Sequence, residues 1–263
     1  MTRLRYRIVD VFSARPLSGN ALCVVLDPCP ESLMQAVARE ANLSETTFPV
    51  ITADDAYDVR IFAPGMELPF AGHPSIGTAW TLGPRAWTQT SAGATVVVEA
   101  DADGAVMTQP DAEFTDVDPQ SLVDALGLPG SDAAATAVVG GMSFTIVATQ
   151  APIDALQPRM ADLATAASAA GGVGVATVRR LSDTELHVRV FVPGAGVPED
   201  PGTGSAAGPI GVFARKVWGT AADVTIAQGA EIGRPCRIDV HAELGGVRVG
   251  GRVSGCAEGT FTL

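Results

Sequence analysis

The carboxylate of Glu45 has a setting that suits acid–base chemistry. It is flanked by the hydroxyl of Ser44 and lies among apolar neighbours, Leu43 and Phe48. Burial among apolar groups raises the pKa of a glutamate from about 4.3 toward neutrality, and a residue that takes and returns a proton needs such a pKa. A glutamate near a helix end is more often a solvated surface residue, and the segment alone favours that interpretation, but the apolar neighbours shift the balance toward a buried base. We expect Glu45 to act as a general base and Ser44 to contact a substrate.

A second segment places His73 directly before a predicted helix. Gly72 and His73 precede a helix expected over residues 75–82, and the first backbone N–H groups of a helix have no partners within it. Such a helix start binds a carboxylate through its amides and its dipole. A single histidine is usually structural, but in this position His73 is able to donate to a bound anion or to relay a proton. The pattern predicts an anion-binding turn with Gly72 and His73 as site residues.

A third segment, residues 199–208, repeats this pattern with an acid beside it. Gly202 and Gly204 have the GxG spacing of a dinucleotide fingerprint, yet the strand–turn–helix unit and the following acid that such a fingerprint needs are not recognisable. A second anion-binding helix start fits better than a nucleotide site. Asp200 is then a candidate acid–base group. Gly202, Gly204 and Ser205 are candidate substrate contacts.

Both glycine-rich segments follow a copy of one short passage. Residues 59–65 read VRIFAPG and residues 188–194 read VRVFVPG, at an offset of 129. A repeat at about half the chain length predicts two similar lobes whose glycine-rich turns meet at a shared cleft. Continued without a gap, the alignment places Asp200 opposite Ala71 and no acid opposite Glu45. The two lobes are therefore expected to share a scaffold and to contribute different acids.

Hydrophobic periodicity predicts the elements that position these residues. Apolar residues at helical spacing indicate a helix over 31–41, and helices are also expected over 75–82, 160–170 and 205–216. Most other segments alternate in the manner of strands. Many strands, with two helices that each follow a glycine-rich turn, predict an α+β fold with a mostly antiparallel sheet in each lobe.

The boundary between the lobes is expected near residue 112. Residues 109–119 are acidic and bounded by prolines, which is typical of a linker. The lobes are then residues 1–112 and residues 113–263. The C-terminal tail is free to return to the first lobe.

Composition excludes several functional classes. The 263 residues carry a formal net charge of −12 without a Lys/Arg cluster, so nucleic acid is not an expected partner. Four cysteines without CxxC spacing and three histidines give no metal-site pattern, so no metal is expected. The start of the chain has no signal-peptide pattern, and no stretch is apolar enough to span a bilayer. We expect a cytoplasmic protein with reduced thiols and no membrane association.

Several motifs together resemble the PhzF family of phenazine-biosynthesis-type isomerases. In chain order they are IVDVF (8–12), LSGN (17–20), NLSET (42–46), FAGHP (70–74), DPGTGSA (200–206) and the ending from GRV (251–253) to EGT (258–260). They extend over nearly the whole chain. The resemblance implies a diaminopimelate-epimerase-like fold, in which two pseudo-symmetric lobes each surround a central helix and the active site lies between them. It also implies a homodimer and no cofactor.

The resemblance assigns roles to the candidate residues as well. Glu45, His73 and Asp200 take the acid–base roles of the family. Recognition of the substrate's carboxylate is implied for Gly72, His73, Gly204 and Ser205. The epimerase branch of this fold places a catalytic cysteine in each glycine-rich turn, where this chain is expected to have Ala71 and Pro201. A two-thiol racemase is therefore disfavoured.

Three functions remain to be compared. The first is a cofactor-independent isomerase that shifts a proton and a double bond in a small unsaturated carboxylic acid or amino acid, in secondary metabolism such as antibiotic biosynthesis. The second is an epimerase or racemase of the same fold with carboxylate bases on both faces of its substrate. The third is a small-molecule binding protein that kept the cleft and lost turnover. The combination of Glu45, His73 and Asp200 favours the isomerase.

Overall fold

The computed structural model describes residues 2–193 and 198–263. The strands are β1 (Arg3–Val11), β2 (Asn20–Val25), β3 (Glu45–Ala53), β4 (Ala56–Phe62), β5 (Glu67–Leu68), β6 (Arg85–Thr90), β7 (Thr95–Ala100), β8 (Gly104–Thr108), β9 (Glu113–Asp116), β10 (Ala133–Val139), β11 (Met142–Thr149), β12 (Gly174–Arg180), β13 (Glu185–Phe191), β14 (Glu199–Asp200), β15 (Asp223–Gln228), β16 (Cys236–His241) and β17 (Arg248–Thr262). The helices are α1 (Glu31–Ala41), α2 (Gly72–Leu82), α3 (Gln120–Leu126), α4 (Met160–Ala169) and α5 (Gly204–Trp218), with a 3₁₀ turn at Ala230–Ile232. Gly194, the last residue of the second repeat copy, lies outside the described residues.

Strand pairing is mostly antiparallel, as predicted. The parallel pairs are β2–β3, β4–β6, β11–β12 and β13–β15. They fall at matching places because the order β2-α1-β3-β4-β5-α2-β6 recurs as β11-α4-β12-β13-β14-α5-β15. The predicted α+β class and the internal repeat are therefore confirmed, and the two halves match the two-lobed arrangement that the family resemblance implies.

The central helices of the two halves are α2 and α5, and both are largely buried. A helix with small and apolar residues on all sides is suited to such an interior position. Helix α2 begins at Gly72, three residues before the predicted start, because Pro74 stands in the first turn, where its missing N–H costs nothing. Among residues 2–193 and 198–263 no helix has both the length and the apolar character needed to cross a membrane, and the longest, α5, has 15 residues.

A side chain from the first half supplies a hydrogen bond that α5 lacks. Pro209 lies inside this helix and has no N–H for the carbonyl of Ser205, four residues earlier. The side chain of Gln109 donates to that carbonyl instead, through Nε2 at 2.8 Å. Gln109 is buried and directly follows β8. The first turn of α5 is therefore held in part by the other half of the chain.

The final strand of each half pairs with the first strand of the other half. Strand β9 lies beside β10, and the later part of β17 lies beside β1, with Thr262 opposite Arg3. The earlier part of β17 pairs with β8. Residues 109–119, the segment expected to link the lobes, contain β9, which pairs with β10 of the second half.

The repeat contains a three-residue step that a constant offset misses. Arg60 pairs with Glu67 in the first half, and Arg189 pairs with Glu199 in the second. The arginines are 129 positions apart, whereas the glutamates are 132 apart, and α2 and α5 also begin 132 positions apart. The segment between β13 and β14 is therefore three residues longer than the segment between β4 and β5.

This step changes which residues are equivalent in the two halves. The prediction that Asp200 lies opposite Ala71 is wrong, because Asp200 and Leu68 pair with equivalent positions of β13 and β4. The residue equivalent to Ala71 is Thr203, since these two are the N-caps of α2 and α5. Pro201 is therefore not the counterpart of Ala71. Pro69 and Pro198 are also 129 positions apart, so a constant offset fits the sequence just beyond the repeat even though the structural equivalence has shifted by three residues.

Candidate active site

The N-termini of α2 and α5 meet between the two halves. A Cβ on Gly204 would lie 2.8 Å from the backbone nitrogen of His73 and 3.0 Å from the carbonyl carbon of Gly72. A Cβ on Gly72 would collide with the backbone of Gly204 and Ser205. Glycine at both positions therefore allows the two helix starts to touch.

A cavity of about 90 Å³ lies at this crossing. The first half contributes Ser44, Glu45, Ala63, Met66, Leu68, Ala71, Gly72 and His73. The second half contributes Met142, Phe144, Val173, Val192, Asp200, Thr203, Gly204 and Ser205. A water molecule needs roughly 10–15 Å³ of such space, so the cavity suits a small molecule.

Both helix starts offer backbone N–H groups to this cavity. Neither Ala71, the N-cap of α2, nor Thr203, the N-cap of α5, makes a side-chain cap hydrogen bond. The first amides of a helix have no acceptor within it and lie at the positive end of its dipole. Two uncapped helix starts at one cavity form a site for an anion such as a carboxylate.

Glu45 is the first residue of β3 rather than part of the connection before it. Its carboxylate lines the cavity, and Oε2 is buried without a hydrogen-bond partner among the described residues. Burial raises the pKa of Glu45 well above its ordinary value, and the negative charge of Asp200 raises it further. A carboxylate whose pKa is raised is a stronger base than a solvated glutamate, which suits a group that takes a proton from carbon.

His73 stands beside Glu45 at the start of α2. Its Nε2 lies 3.1 Å from Oε2 of Glu45, but the two groups are not aligned for a hydrogen bond. Burial lowers the pKa of His73 to about 3, so the imidazole is neutral at physiological pH. In the described part of the chain Nε2 has no hydrogen-bond partner, which leaves it free for a substrate.

Asp200 enters the site from β14 and is held by two donors. Thr203 donates through Oγ1 to Oδ2 of Asp200 at 2.6 Å, and Asn20 donates through Nδ2 to Oδ1 at 2.9 Å. The pKa of Asp200 is raised overall, because burial, helped by the charge of Glu199, outweighs these two hydrogen bonds, which lower it. The hydrogen bonds therefore favour the ionised carboxylate against the cost of burial.

The structure brings most of the predicted substrate contacts together, with one difference. Ser44, Gly72, Gly204 and Ser205 all line the cavity. Gly202 does not, and its carbonyl accepts a hydrogen bond from Nδ2 of Asn20 at 3.0 Å. Its position supports the site from behind, because a Cβ there would lie 2.6 Å from the sulfur of Cys236.

Sequence reasoning missed three polar residues that organise this site: Asn20, Thr203 and Gln228. Gln228 donates through Nε2 to the carbonyl of Asp200 at 2.8 Å and to the hydroxyl of Thr203 at 3.0 Å. A signal for Gln228 was present, because alternation along β15 places this amide at a buried position, where it requires partners. Asn20 entered the sequence analysis only within the LSGN motif (17–20), with no role at the site.

The acids of the site are not repeated by the internal symmetry. By strand register, the positions equivalent to Asn20, Glu45 and Asp200 in the other half are Met142, Gly174 and Leu68. Two of these, Met142 and Leu68, line the cavity as apolar side chains. The site therefore has an acid–base side and an apolar wall.

Comparison with known proteins agrees with this geometry. The family model for phenazine biosynthesis-like proteins (PhzC-PhzF) matches residues 9–259. A trans-2,3-dihydro-3-hydroxyanthranilate isomerase of Pseudomonas aeruginosa is 37% identical, over 93% of this chain and 92% of that protein. A solved structure described as a predicted epimerase from the same species is 31% identical and has a TM-score of 0.86, with 99% of each chain covered.

A second solved structure, a PhzF-family protein of Bacillus anthracis, shares the fold at a TM-score of 0.87 and 20% identity over the full length of both chains. The resemblance inferred from the motifs is thus confirmed over nearly the whole length. The chain belongs to the phenazine biosynthesis-like PhzC-PhzF family, and it is an isomerase.

Proposed function

We propose that this isomerase moves a proton, and with it a double bond, within a small unsaturated carboxylic acid or amino acid. The observation that carries the proposal is the buried carboxylate of Glu45, which faces a cavity closed by two uncapped helix starts. The relative from Pseudomonas aeruginosa is named for a dihydro-3-hydroxyanthranilate, which supports a substrate of this class.

The proposed reaction uses a proton relay without net oxidation. The substrate's carboxylate binds the free amides at Gly72 and Gly204. Ionised Glu45 takes a proton from one carbon, and the electron pair of that C–H bond forms the new double bond. The proton on the Glu45 carboxyl exchanges with solvent, and the electron pair of the old double bond then takes a proton from this carboxyl at a second carbon. Because electrons and protons balance within the substrate, acid–base side chains suffice for the reaction and we propose that it needs no cofactor.

His73 and Asp200 support this transfer electrostatically. Neutral His73 directs Nε2 toward the position where charge develops, and the buried setting strengthens each such contact. Asp200 raises the pKa of Glu45 and so makes the ionised carboxylate a stronger base for the proton on carbon. We propose that Ser44 and Ser205, which line the same cavity, orient the polar groups of the substrate.

An epimerase is the weaker candidate because the site is one-sided. Exchange of configuration at a carbon needs an acid or base on each face of the substrate. The positions equivalent to Glu45 and Asp200 are Gly174 and Leu68, and the N-caps are Ala71 and Thr203 rather than cysteines. A binding protein without turnover is also weaker, since it has no use for a buried carboxylate of raised pKa.

The test is isomerisation in D₂O with trans-2,3-dihydro-3-hydroxyanthranilate as the first probe. We expect deuterium at the carbon that accepts the proton. Glu45→Gln should lower kcat by roughly 10²–10⁴-fold while probe binding persists. Glu40→Gln, on the exposed face of α1, is the matched control and should keep full activity. Full activity in Glu45→Gln would contradict the role of Glu45, and tight binding without turnover by the unaltered protein would favour the binding protein.

We also propose a cytoplasmic homodimer that acts in secondary metabolism. The homodimer and the pathway follow from the family resemblance, and the net charge of −12 argues against a nucleic-acid partner. Light scattering that gives the mass of one chain would contradict the homodimer. Retention on a DNA or RNA column at physiological salt would contradict the absence of nucleic-acid binding.

A further inference from the structure

Asn20 joins the two halves of the site although it does not line the cavity. It is fully buried, and its Nδ2 contacts Oδ1 of Asp200 at 2.9 Å, the carbonyl of Gly202 at 3.0 Å and Nδ1 of His73 at 3.2 Å. Asp200 and Gly202 are 180 and 182 positions away in sequence. A single amide nitrogen therefore touches both groups that flank Glu45.

The partners of this amide determine which ring nitrogen of His73 carries the proton. A carboxylate and a carbonyl are acceptors only, so the nitrogen of the amide must face them. That nitrogen is a donor and has no acceptor capacity. A proton on Nδ1 of His73 would place donor against donor at 3.2 Å. Nδ1 is therefore the acceptor, and in the neutral ring the proton is on Nε2, beside Glu45.

An ion pair between the two halves, with its aspartate buried and its arginine partly exposed, holds the loop that carries Asn20. Arg234 donates through Nε to the carbonyl of Gly19 at 2.8 Å and pairs with Asp10, which is 1% exposed. The same aspartate accepts the backbone N–H of Leu17 at 2.7 Å. One guanidinium thus fixes both ends of the turn before Asn20.

This loop also stores backbone strain. Phe12 and Leu17 have φ values of 66° and 65°, in the left-handed region that non-glycine residues rarely adopt. Such conformations persist where surrounding contacts hold them, and they cluster at functional sites. The contacts of Asp10 and Arg234 supply that support at Leu17.

We propose that Asn20 is a positioning residue that holds His73 in its Nε2–H form and aligns Asp200, and that the Asp10–Arg234 pair fixes its loop. The expected effect of this positioning on kcat rests on the proposed function. Its structural content, the protonated nitrogen of His73, is independent of any substrate.

The first test is the ¹⁵N NMR spectrum of the histidine side chains at neutral pH. His73 in the unaltered protein should carry its proton on Nε2, and Asn20→Ala should give a mixture of the two neutral forms. A His73 that carries its proton on Nδ1, or a spectrum unchanged in Asn20→Ala, would overturn the proposal. Because no substrate is present, this result stands even if the proposed reaction is wrong.

The second test separates positioning from folding by kinetics. Asn20→Ala should lower kcat by about 100-fold, the usual effect of misplacing reacting groups by 1 Å, with little change in KM because Asn20 does not line the cavity. A loss of thermal stability with wild-type kcat would mean a structural role only and would overturn the proposal.

The ion pair offers its own matched control. Arg234→Lys keeps the charge but has a single nitrogen in place of the two that contact Gly19 and Asp10. One of these contacts is then lost while Asn20 itself remains, so kcat should fall by a smaller factor than in Asn20→Ala. Arg252→Lys alters a second pair between the halves, with Asp103, whose two side chains are more than half exposed. This control should keep wild-type kcat. Equal losses of kcat in Arg234→Lys and Arg252→Lys would show that any ion pair between the halves affects catalysis. That result would refute the proposal that the Asp10–Arg234 pair acts by fixing the loop of Asn20.

Discussion

Replacing Gly204 by alanine tests whether direct contact of the two helix starts sets the site. The added Cβ would lie 2.8 Å from the backbone nitrogen of His73, where ordinary contact begins at 3.4 Å. The helices must therefore separate by about 0.6 Å, the difference between these distances. The obstructing atoms include backbone of α2, so the strain is not relieved by a side-chain rotation.

Two magnitudes follow for Gly204→Ala. Overpacking of this kind lowers the free energy of unfolding by about 1–3 kcal/mol, although alanine is otherwise a better helix former than glycine. A displacement of 1 Å at reacting groups lowers the rate about 100-fold, so 0.6 Å should lower kcat by roughly 10- to 100-fold. Gly72→Ala should be more damaging, because its Cβ would collide with the backbone of both Gly204 and Ser205.

The assay is kcat together with the free energy of unfolding by denaturant for three alanine variants. Gly65→Ala is the control, because its Cβ would meet no atom within 4 Å. It should retain wild-type activity and gain up to about 1 kcal/mol through a stiffer unfolded chain. Wild-type activity in Gly72→Ala would refute the argument that the two helix starts must touch.

Two further predictions concern stability. Arg189→Met should lower the free energy of unfolding in urea by about 3–5 kcal/mol, because it leaves the carboxylate of Glu199 buried and unpaired. Arg60→Met, in the equivalent and more exposed pair, should lower it by at most about 1 kcal/mol. Equal losses in the two variants would contradict this prediction. Glu45→Gln should stabilise the protein above pH 4.5, and more at pH 8 than at pH 4. The pKa of Glu45 is higher in the folded state than in the unfolded chain. The unfolded chain of the unaltered protein therefore ionises first and is favoured as pH rises, and glutamine removes this effect. A gain equal at both pH values would count against a raised pKa of Glu45 in the folded state.

Local segments of the fold were predictable because they depend on short-range preferences. The helix over 31–41 has the predicted bounds, and α2 and α5 follow the glycine-rich turns as expected. Helix α3 and the two-residue strands β5 and β14 were not predicted. Elements this short are stabilised by their neighbours rather than by their own periodicity.

The candidate site was predictable in its parts and in its place between the two glycine-rich turns, but not in the pairing of equivalent residues or in its supporting contacts. Glu45, His73 and Asp200 were identified from residue type and neighbours, and the structure brings them to one cavity. The equivalence of the halves could not be derived from a constant offset, because the three-residue step lies between β13 and β14. The contribution of Asn20 was hidden for a different reason, since its partners lie 53, 180 and 182 positions away.

By itself the sequence determined the fold class, the two glycine-rich helix starts and the acids beside them. Each of these follows from backbone preferences and burial patterns within a few residues. Tertiary structure alone decided that the helix starts touch, that the acid–base groups share one side of the cavity, and that β17 joins the two halves. These features depend on contacts between distant residues, whose geometry is set when the sheets pack around α2 and α5.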